Sequence, residues 1–306
     1  MRAHVVGLGL SAAQLTSAAA LAQSVPTPET TPPASTVAPP PALTSNPERD
    51  GSKTSYWASG TTRPFLSTSI DVGYLYLRPR VSLGYGTPFS KWIGIDLNPA
   101  AGIRFLGGYA GFRASLPRID LRVGARYTWA FQQHFLAPNL NFHRLDIESQ
   151  ALERSQYTTL EAELTGNLPA GPGTFLGTVS GSVITGVREG VYVFEETLRV
   201  IVDPPYLWRG RVGYAVRLGE EGKLSIGVVV DALGMPGRHR HVVRAGLIGS
   251  ASLSDHIEVV GSLIPPILSP DSIGIRGGDF AQLGIRYRWA TGSPPDPVPP
   301  AMESQP

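Results

Sequence analysis

The sequence predicts an all-β fold, an antiparallel up-and-down transmembrane β-barrel of about ten strands, with twelve or eight as the alternatives. Three observations lead there. Segments of about 10–14 residues alternate between apolar and polar positions, longer than the strands of soluble sheets and long enough to cross a bilayer at a tilt. Short and long connections alternate along the chain, as tight turns at one end of a barrel and loops at the other would require. The N-terminus carries an export pattern.

That pattern comes first in the chain. Arg2 supplies a positive charge, "VVGLGLSAAQLTSAAALA" a small-residue apolar core, and Ala20 and Ala22 an A-x-A cleavage site before Gln23. Residues 1–22 are therefore expected to be a signal peptide. Residues 23–64, rich in Pro, Thr, Ser and Ala, have no apolar period and are expected to be disordered, as is the Pro-rich tail 292–306. Residues 65–291 form the expected barrel domain.

Within it, strands are expected near 68–86, 102–116, 119–132, 155–168, 173–187, 206–218, 223–233, 241–253, 256–265 and 279–290. The clearest is "IDLRVGARYTWAF". Ile119, Leu121, Val123, Tyr127, Trp129 and Phe131 occupy one face, and Asp120, Arg122, Arg126 and Thr128 the other. "LWRGRVGYAVRL" sets Trp208, Val212, Tyr214, Val216 and Leu218 against Arg209, Arg211 and Arg217. "YTTLEAELTGNL" sets Leu160, Ala162, Leu164 and Leu168 against Glu161, Glu163, Thr165 and Asn167. "LSIGVVVDAL" opposes Asp231 to its aliphatic row, "VRAGLIGSASL" opposes Arg244, and "FAQLGIRYRW" sets Leu283, Ile285, Tyr287 and Trp289 against Gln282, Arg286 and Arg288. "GIRFLGGYAGFRASL" is apolar on both faces and is read as hiding a bulge. Short connections are expected at 116–118, 169–172, 219–222 and 254–255, and long ones at about 87–101, 133–154, 188–205, 234–240 and 266–278. "VYVFEETLRVIV" in the long connection 188–205 is compatible with a further hairpin or with strand extensions. Aromatic residues fall toward strand ends, including Tyr74, Tyr76, Tyr127, Trp129, Trp208, Tyr214, Tyr287 and Trp289, as interfacial girdles require.

Composition narrows the function. The chain has 306 residues, 35 Gly, 28 Pro and no Cys; its charged fraction is 16% and its formal charge +2. A nucleic-acid partner is not expected from so small a charge without a basic, aromatic-interleaved cluster. Without Cys there is no thiolate chemistry and no disulfide. After the N-terminus no apolar run is long enough for a membrane helix. Ser254-Asp255-His256 holds hydrolase residue types, but consecutive residues on extended backbone point apart, and a turn explains Ser and Asp. His239 and His241 share one side of a strand without a third ligand. Glu161 and Glu163 share a face beside arginines that keep both ionised, and His134 and His143 lack telling partners. No phosphate-binding glycine loop is present. The expectation is a protein that is not an enzyme, with no catalytic residue, metal or cofactor.

These patterns resemble those of Gram-negative outer-membrane β-barrel proteins as an architectural class, over roughly residues 65 to 290. The most specific piece is "FAQLGIRYRW", an alternating strand closing on an aromatic. The resemblance implies location in the outer membrane, contact with membrane lipids and lipopolysaccharide, insertion by the outer-membrane assembly machinery, and a structural or permeation role. Arg122, Arg126, Glu161, Glu163, Arg209, Arg211, Arg217, Asp231, Arg244, Arg286 and Arg288 are then expected in the barrel interior, as an ion-paired plug or as the wall of a pore favouring small anionic solutes. A secreted soluble barrel or sandwich is the alternative in which the apolar faces form a core; a lipid-modifying enzyme is the weakest reading.

Overall fold

A computed structural model describes residue 57 and residues 60–73, 76–102, 104–148, 152–219, 223–279 and 284–292. The expected signal peptide, residues 23–56 of the Pro-rich segment, the tail from residue 293, and Tyr74, Gln282 and Leu283 lie outside these. The strands are β1 (Arg63–Gly73), β2 (Tyr76–Thr87), β3 (Lys91–Gly102), β4 (Phe105–Ser115), β5 (Ile119–His134), β6 (Arg154–Ala170), β7 (Gly173–Thr185), β8 (Val193–Glu195), β9 (Val200–Val202), β10 (Tyr206–Leu218), β11 (Leu224–Met235), β12 (Arg240–Ser252), β13 (Ile257–Leu263), β14 (Pro266–Leu268) and β15 (Gly284–Ala290). Among the described residues, helix is limited to Trp57, one turn, α1 (Arg144–Ile147), and two 3-10 turns, Pro236–Arg238 and Gly274–Gly277.

Twelve strands close a ring in the order β1-β2-β3-β4-β5-β6-β7-β10-β11-β12-β13-β15 and back to β1. Every pairing is antiparallel, and β15 closes on β1 from Ser67↔Ala290 to Gly73↔Gly284. β14 adds to β12 beyond the end of β13. β8 and β9 pair only with each other. The expected count of ten is corrected to twelve by two changes in one region. The segment 68–86 is not one strand but the hairpin β1–β2, and the expected long connection 87–101 is largely β3. Here the polar period is masked. "DVGYLYL" is apolar through its turn, and Trp92 and Gly94 stand on the inner face of β3 where a polar residue was sought.

The alternation of loop lengths is corrected with it. One end of the ring has only short turns: 88–90, 116–118, 171–172, 219–223 and 253–256. The other carries three short turns (74–75, 103–104 and 236–239) and the three long connections 135–153, 186–205 and 264–283. The connection 234–240 is thus a tight 3-10 turn, not a long loop. The bulge is also elsewhere than expected: β4 pairs without a shift on both sides, whereas the ladder of β5 with β6 slips between Trp129 and His134.

Burial runs opposite to that of a soluble sheet. Ile95, Val123, Leu164, Val179, Val212, Val228 and Ile285 are all exposed on the outer face. Ser82, Asp96, Thr128, Thr159 and Asp231 are buried on the inner one. Outward aromatics form two bands: Tyr85, Phe112, Phe175, Tyr287 and Trp289 toward the short-turn end, and Tyr127, Trp129, Phe131, Tyr206 and Trp208 toward the long-loop end. With every strand of the ring paired to a neighbour on both sides, this is the arrangement a bilayer core demands. The soluble alternative has no place for these exposed rows. Inside, Tyr109 lies across Gly111 and Gly124, where an added Cβ would sit 2.2 and 2.7 Å from its hydroxyl. The two glycines are the floor that the ring needs.

Candidate functional site: the barrel lumen and its inserted hairpin

The three long connections pack into one cap. Its first apolar cluster joins Val193, Val200 and Val202 of the β8–β9 hairpin to Tyr157, Ile184, Leu207, Leu233, Met235 and Val242 of the barrel wall. Its second joins the hairpin's other face, Phe194 and Ile201, to Leu136, Phe142, Ile147 and Ile273 from the neighbouring connections. Alternation along two three-residue strands thus holds the hairpin from both sides. Arg238 bolts the cap to the β11–β12 turn: its Nη1 and Nη2 donate to Asp271 at 2.7 and 2.8 Å, and its guanidinium stands 5.1 Å from the Phe142 ring.

The hairpin tip, residues 195–199, enters the lumen. Glu195 has no exposed surface; its carboxylate takes an ion pair from Arg126 at 3.2 Å and a hydrogen bond from the Leu198 amide at 2.5 Å. Arg126 also donates to Thr197. Arg244 Nη2 donates to the carbonyls of Leu198 and Arg199 at 2.6 and 3.2 Å. The Glu196 amide donates to the Tyr157 hydroxyl at 3.3 Å. Burial, and next the neighbouring Glu195, push the Glu196 carboxyl up to about 8, against the pull of Arg104, Arg199 and Arg276.

Below the tip lies a lumen cavity of about 240 Å³, bounded by Thr197 and Leu198 and by strand side chains from around the ring. Seven guanidiniums line it (Arg78, Arg80, Arg122, Arg126, Arg209, Arg211 and Arg286) against four carboxylates (Asp71, Glu161, Glu163 and Asp279), with Ser180 and Ser182 between. Two ion-pair nets lie on separate stretches of the wall, one on β5 and β6 and one on β10, β11 and β12. Arg122 reaches Glu161 and Glu163 at 3.2 and 3.5 Å, and Arg126 reaches Glu161 at 2.8 Å. Asp231, fully buried, gathers Arg209 at 2.6 Å, Arg211 at 3.1 Å and Arg244 at 3.6 Å, while Arg211 also meets Asp279 at 2.6 Å. Near the closure, Arg286 pairs with Asp71 at 2.6 Å and Arg288 with Glu258 at 2.9 Å.

Arg80 differs from all of these. Its guanidinium has no ion pair among the described residues, and its Nε is buried without a hydrogen-bond partner. Its charged neighbours include three arginines (Arg113, Arg122 and Arg286) and two carboxylates that are already engaged, Asp96 by Arg113 at 3.1 Å and Asp71 by Arg286 at 2.6 Å.

Of the residues picked from sequence, Arg122, Arg126, Glu161, Glu163, Arg209, Arg211 and Arg286 line this cavity. Asp231 and Arg244 stand behind it, and Arg288 sits with Glu258 near the short-turn end. Arg217 is not brought to them; it is exposed at the end of β10 beside a short turn. Sequence reasoning missed Arg78, Arg80, Asp71 and Asp96, whose strands were merged or taken as a loop. It also missed Glu195 and Asp279, which reach the lumen from connections and carry no strand period. Ser254 accepts from the amides of His256 and Ile257 at 3.3 and 3.1 Å, which is turn capping, and His239 and His241 are exposed.

No family model and no curated protein matches the chain. Among solved structures it is similar to the NanC porin, at 8% identity over 74% of this chain and 97% of that one, with a TM-score of 0.34. It is also similar to the beta domain of the Bordetella autotransporter BrkA (14% identity, 76% and 98% covered, TM-score 0.35). A third is OmpT, an outer membrane protein of Vibrio cholerae (10% identity, 74% and 98% covered, TM-score 0.31). At these scores the likeness adds nothing to the strand ladder, on which the architecture rests. Closed ring, apolar belt and paired aromatic bands make the chain a membrane-spanning β-barrel of the outer-membrane type.

Proposed function

We propose that the protein is a permeation barrel that favours small anions and is held closed by its own β8–β9 hairpin. The observation that carries this reading is the composition of the lumen cavity, seven guanidiniums to four carboxylates, together with the hairpin tip, Thr197 and Leu198, that closes it on one side. Rings of one charge sign select counter-ions of the other, and Arg80, without a carboxylate partner, is the natural first stop for an anion. In this reading the long-loop end faces outward, and lipids, lipopolysaccharide and the assembly machinery are the barrel's partners. Neither catalysis nor a cofactor has a part in it.

The test is a reversal potential. Purified barrel is inserted in planar bilayers under a tenfold KCl gradient, and the reversal potential of its openings should take the sign of chloride preference. A cation-selective current would sink the proposal.

A second reading, a barrel of purely structural role, is favoured by the two apolar clusters that grip the hairpin from both faces. In that case no current should appear at any voltage.

A further inference from the structure

A second recess lies away from the lumen, at the long-loop end. It measures about 400 Å³ and is lined by Arg104, Arg154 and Arg276, by Gln133 and His134, and on one side by Phe131. It also holds one carboxylate, Glu148, which is already engaged by Arg276 and by Arg144 at 3.7 Å. The slip of the β5 ladder between Trp129 and His134 aims Gln133 inward here, and bulges commonly re-aim side chains at functional sites.

Three polar atoms in this recess are buried without a partner: Gln133 Oε1, His134 Nδ1 and Arg276 Nη1. Gln133 is only 3% exposed, and its amide can present Nε2 instead by a half-turn. An unsatisfied buried polar group costs about 1–3 kcal/mol, so its presence needs a reason. A bound oxyanion would supply acceptors to the amide, the imidazole and the guanidinium together.

Charge and position narrow the ligand. Three guanidiniums against one engaged carboxylate suit a group of about −1.5 to −2 charge with three acceptor oxygens, which is a phosphate monoester. Burial, and then the charge of Arg104, lower the Arg276 guanidinium against the pull of Glu148. Glu196, raised to about 8, is neutral at pH 7 and leaves that charge standing. Phe131 is 37% exposed on the lipid face and packs edge-on against Trp129 at 5.3 Å, in the aromatic band of the same end. Lipid headgroups sit at that level. The Phe131 amide donates to the Arg104 carbonyl at 2.8 Å, tying the band to the recess.

We propose that this recess is a phosphate-binding site at the membrane interface, formed by Arg104, Arg154, Arg276, Gln133 and His134. Its occupant is a phosphate carried either by an outer-leaflet lipid or by a soluble compound. The lipid source rests on the outer-membrane reading; the site itself does not.

The experiment uses the full chain in detergent, with three probes: bis-phosphorylated lipid A, the same lipid A after phosphatase treatment, and inorganic phosphate. Phosphorylated lipid A should bind about tenfold more tightly than the treated lipid, and Arg154→Ala should abolish most of that difference. Arg154 is exposed and makes no ion pair among the described residues, so its loss leaves the fold intact, checked by gel mobility without heating. Arg276→Ala is the stronger variant, used where it passes the same check. Saturable inorganic phosphate binding that Arg154→Ala weakens, with no preference between the two lipids, supports the site with a soluble source. Equal binding of both lipids together with no phosphate binding overturns it, as does an Arg154→Ala variant indistinguishable from the unaltered chain.

Discussion

At the scale of single residues, the Asp231 carboxylate holds more positive charge than it can neutralise. Asp231 meets Arg209, Arg211 and Arg244 and is itself without exposed surface. Removing one partner from a buried ionic cluster costs about 3–5 kcal/mol, because the remaining charges stay desolvated. Asp231→Asn should therefore lower stability by roughly that amount, read as a fall in the urea midpoint in vesicles. Arg80→Ala should do the reverse. It removes a guanidinium that makes no ion pair among the described residues and sits among three other arginines, so stability should hold or rise while chloride preference falls. On the outer face Val179 is 65% exposed near the middle of β7. Val179→Arg should cost about 2–4 kcal/mol, and Tyr127→Arg, in the aromatic band, less. If both cost nothing, the outer face does not meet lipid. Many inner residues were readable from sequence because strand period is strict: along β5, β6, β10 and β15 every second residue turns inward, Arg217 at the exposed end of β10 excepted. Where a connection supplies the charge, as Glu195 and Asp279 do, no period marks it.

Among the elements, the β8–β9 hairpin decides the state of the lumen. "VYVFEETLRVIV" held its signal in plain view, yet two strands of three residues are too short for alternation to separate a hairpin from strand extensions. Its fixing depends on the barrel wall and on two other connections, which sequence alone does not bring together. The first hairpin was hidden too: β1 and β2 merge in the sequence because apolar residues run on through the turn after Gly73 and leave no polar break to mark it. Glu196 gives the tip a pH dependence. Its folded value, about 8, is above that of the unfolded chain, which sits at the ordinary glutamate value. Docking of the tip is thus favoured fully below about pH 4, and the advantage is lost as pH rises through 8. Glu195, Arg104, Arg199, Arg276 and the Tyr157 hydroxyl all face this carboxyl, and only the arginines oppose its rise. Openings recorded from pH 5 to pH 9 should become more frequent with pH, and Glu196→Gln should flatten the profile. A flat profile in the unaltered chain would remove Glu196 from the latch.

For the whole molecule, architecture follows from one inversion: apolar rows outside, charge inside, ends closed by pairing β15 to β1. An intact barrel should need detergent for extraction and should run differently on gels with and without heating; extraction in plain buffer would contradict the membrane fold. The ring was legible in the sequence as a class, and the miscount by two strands did not disturb it, because an even number keeps both ends of the barrel on the short-turn side. The cap was not legible, since three connections distant in sequence build it through Arg238, Asp271 and two apolar clusters. The claim that joins these scales is that a hairpin, not the strand wall, closes an anion-favouring lumen. Its most direct measurement is planar-bilayer conductance of the full chain beside a variant in which residues 190–203 are replaced by a short Gly-Ser linker. The unaltered barrel should open rarely and the variant should carry steady, chloride-preferring current; two equally silent barrels, or a variant that prefers potassium, would contradict the account.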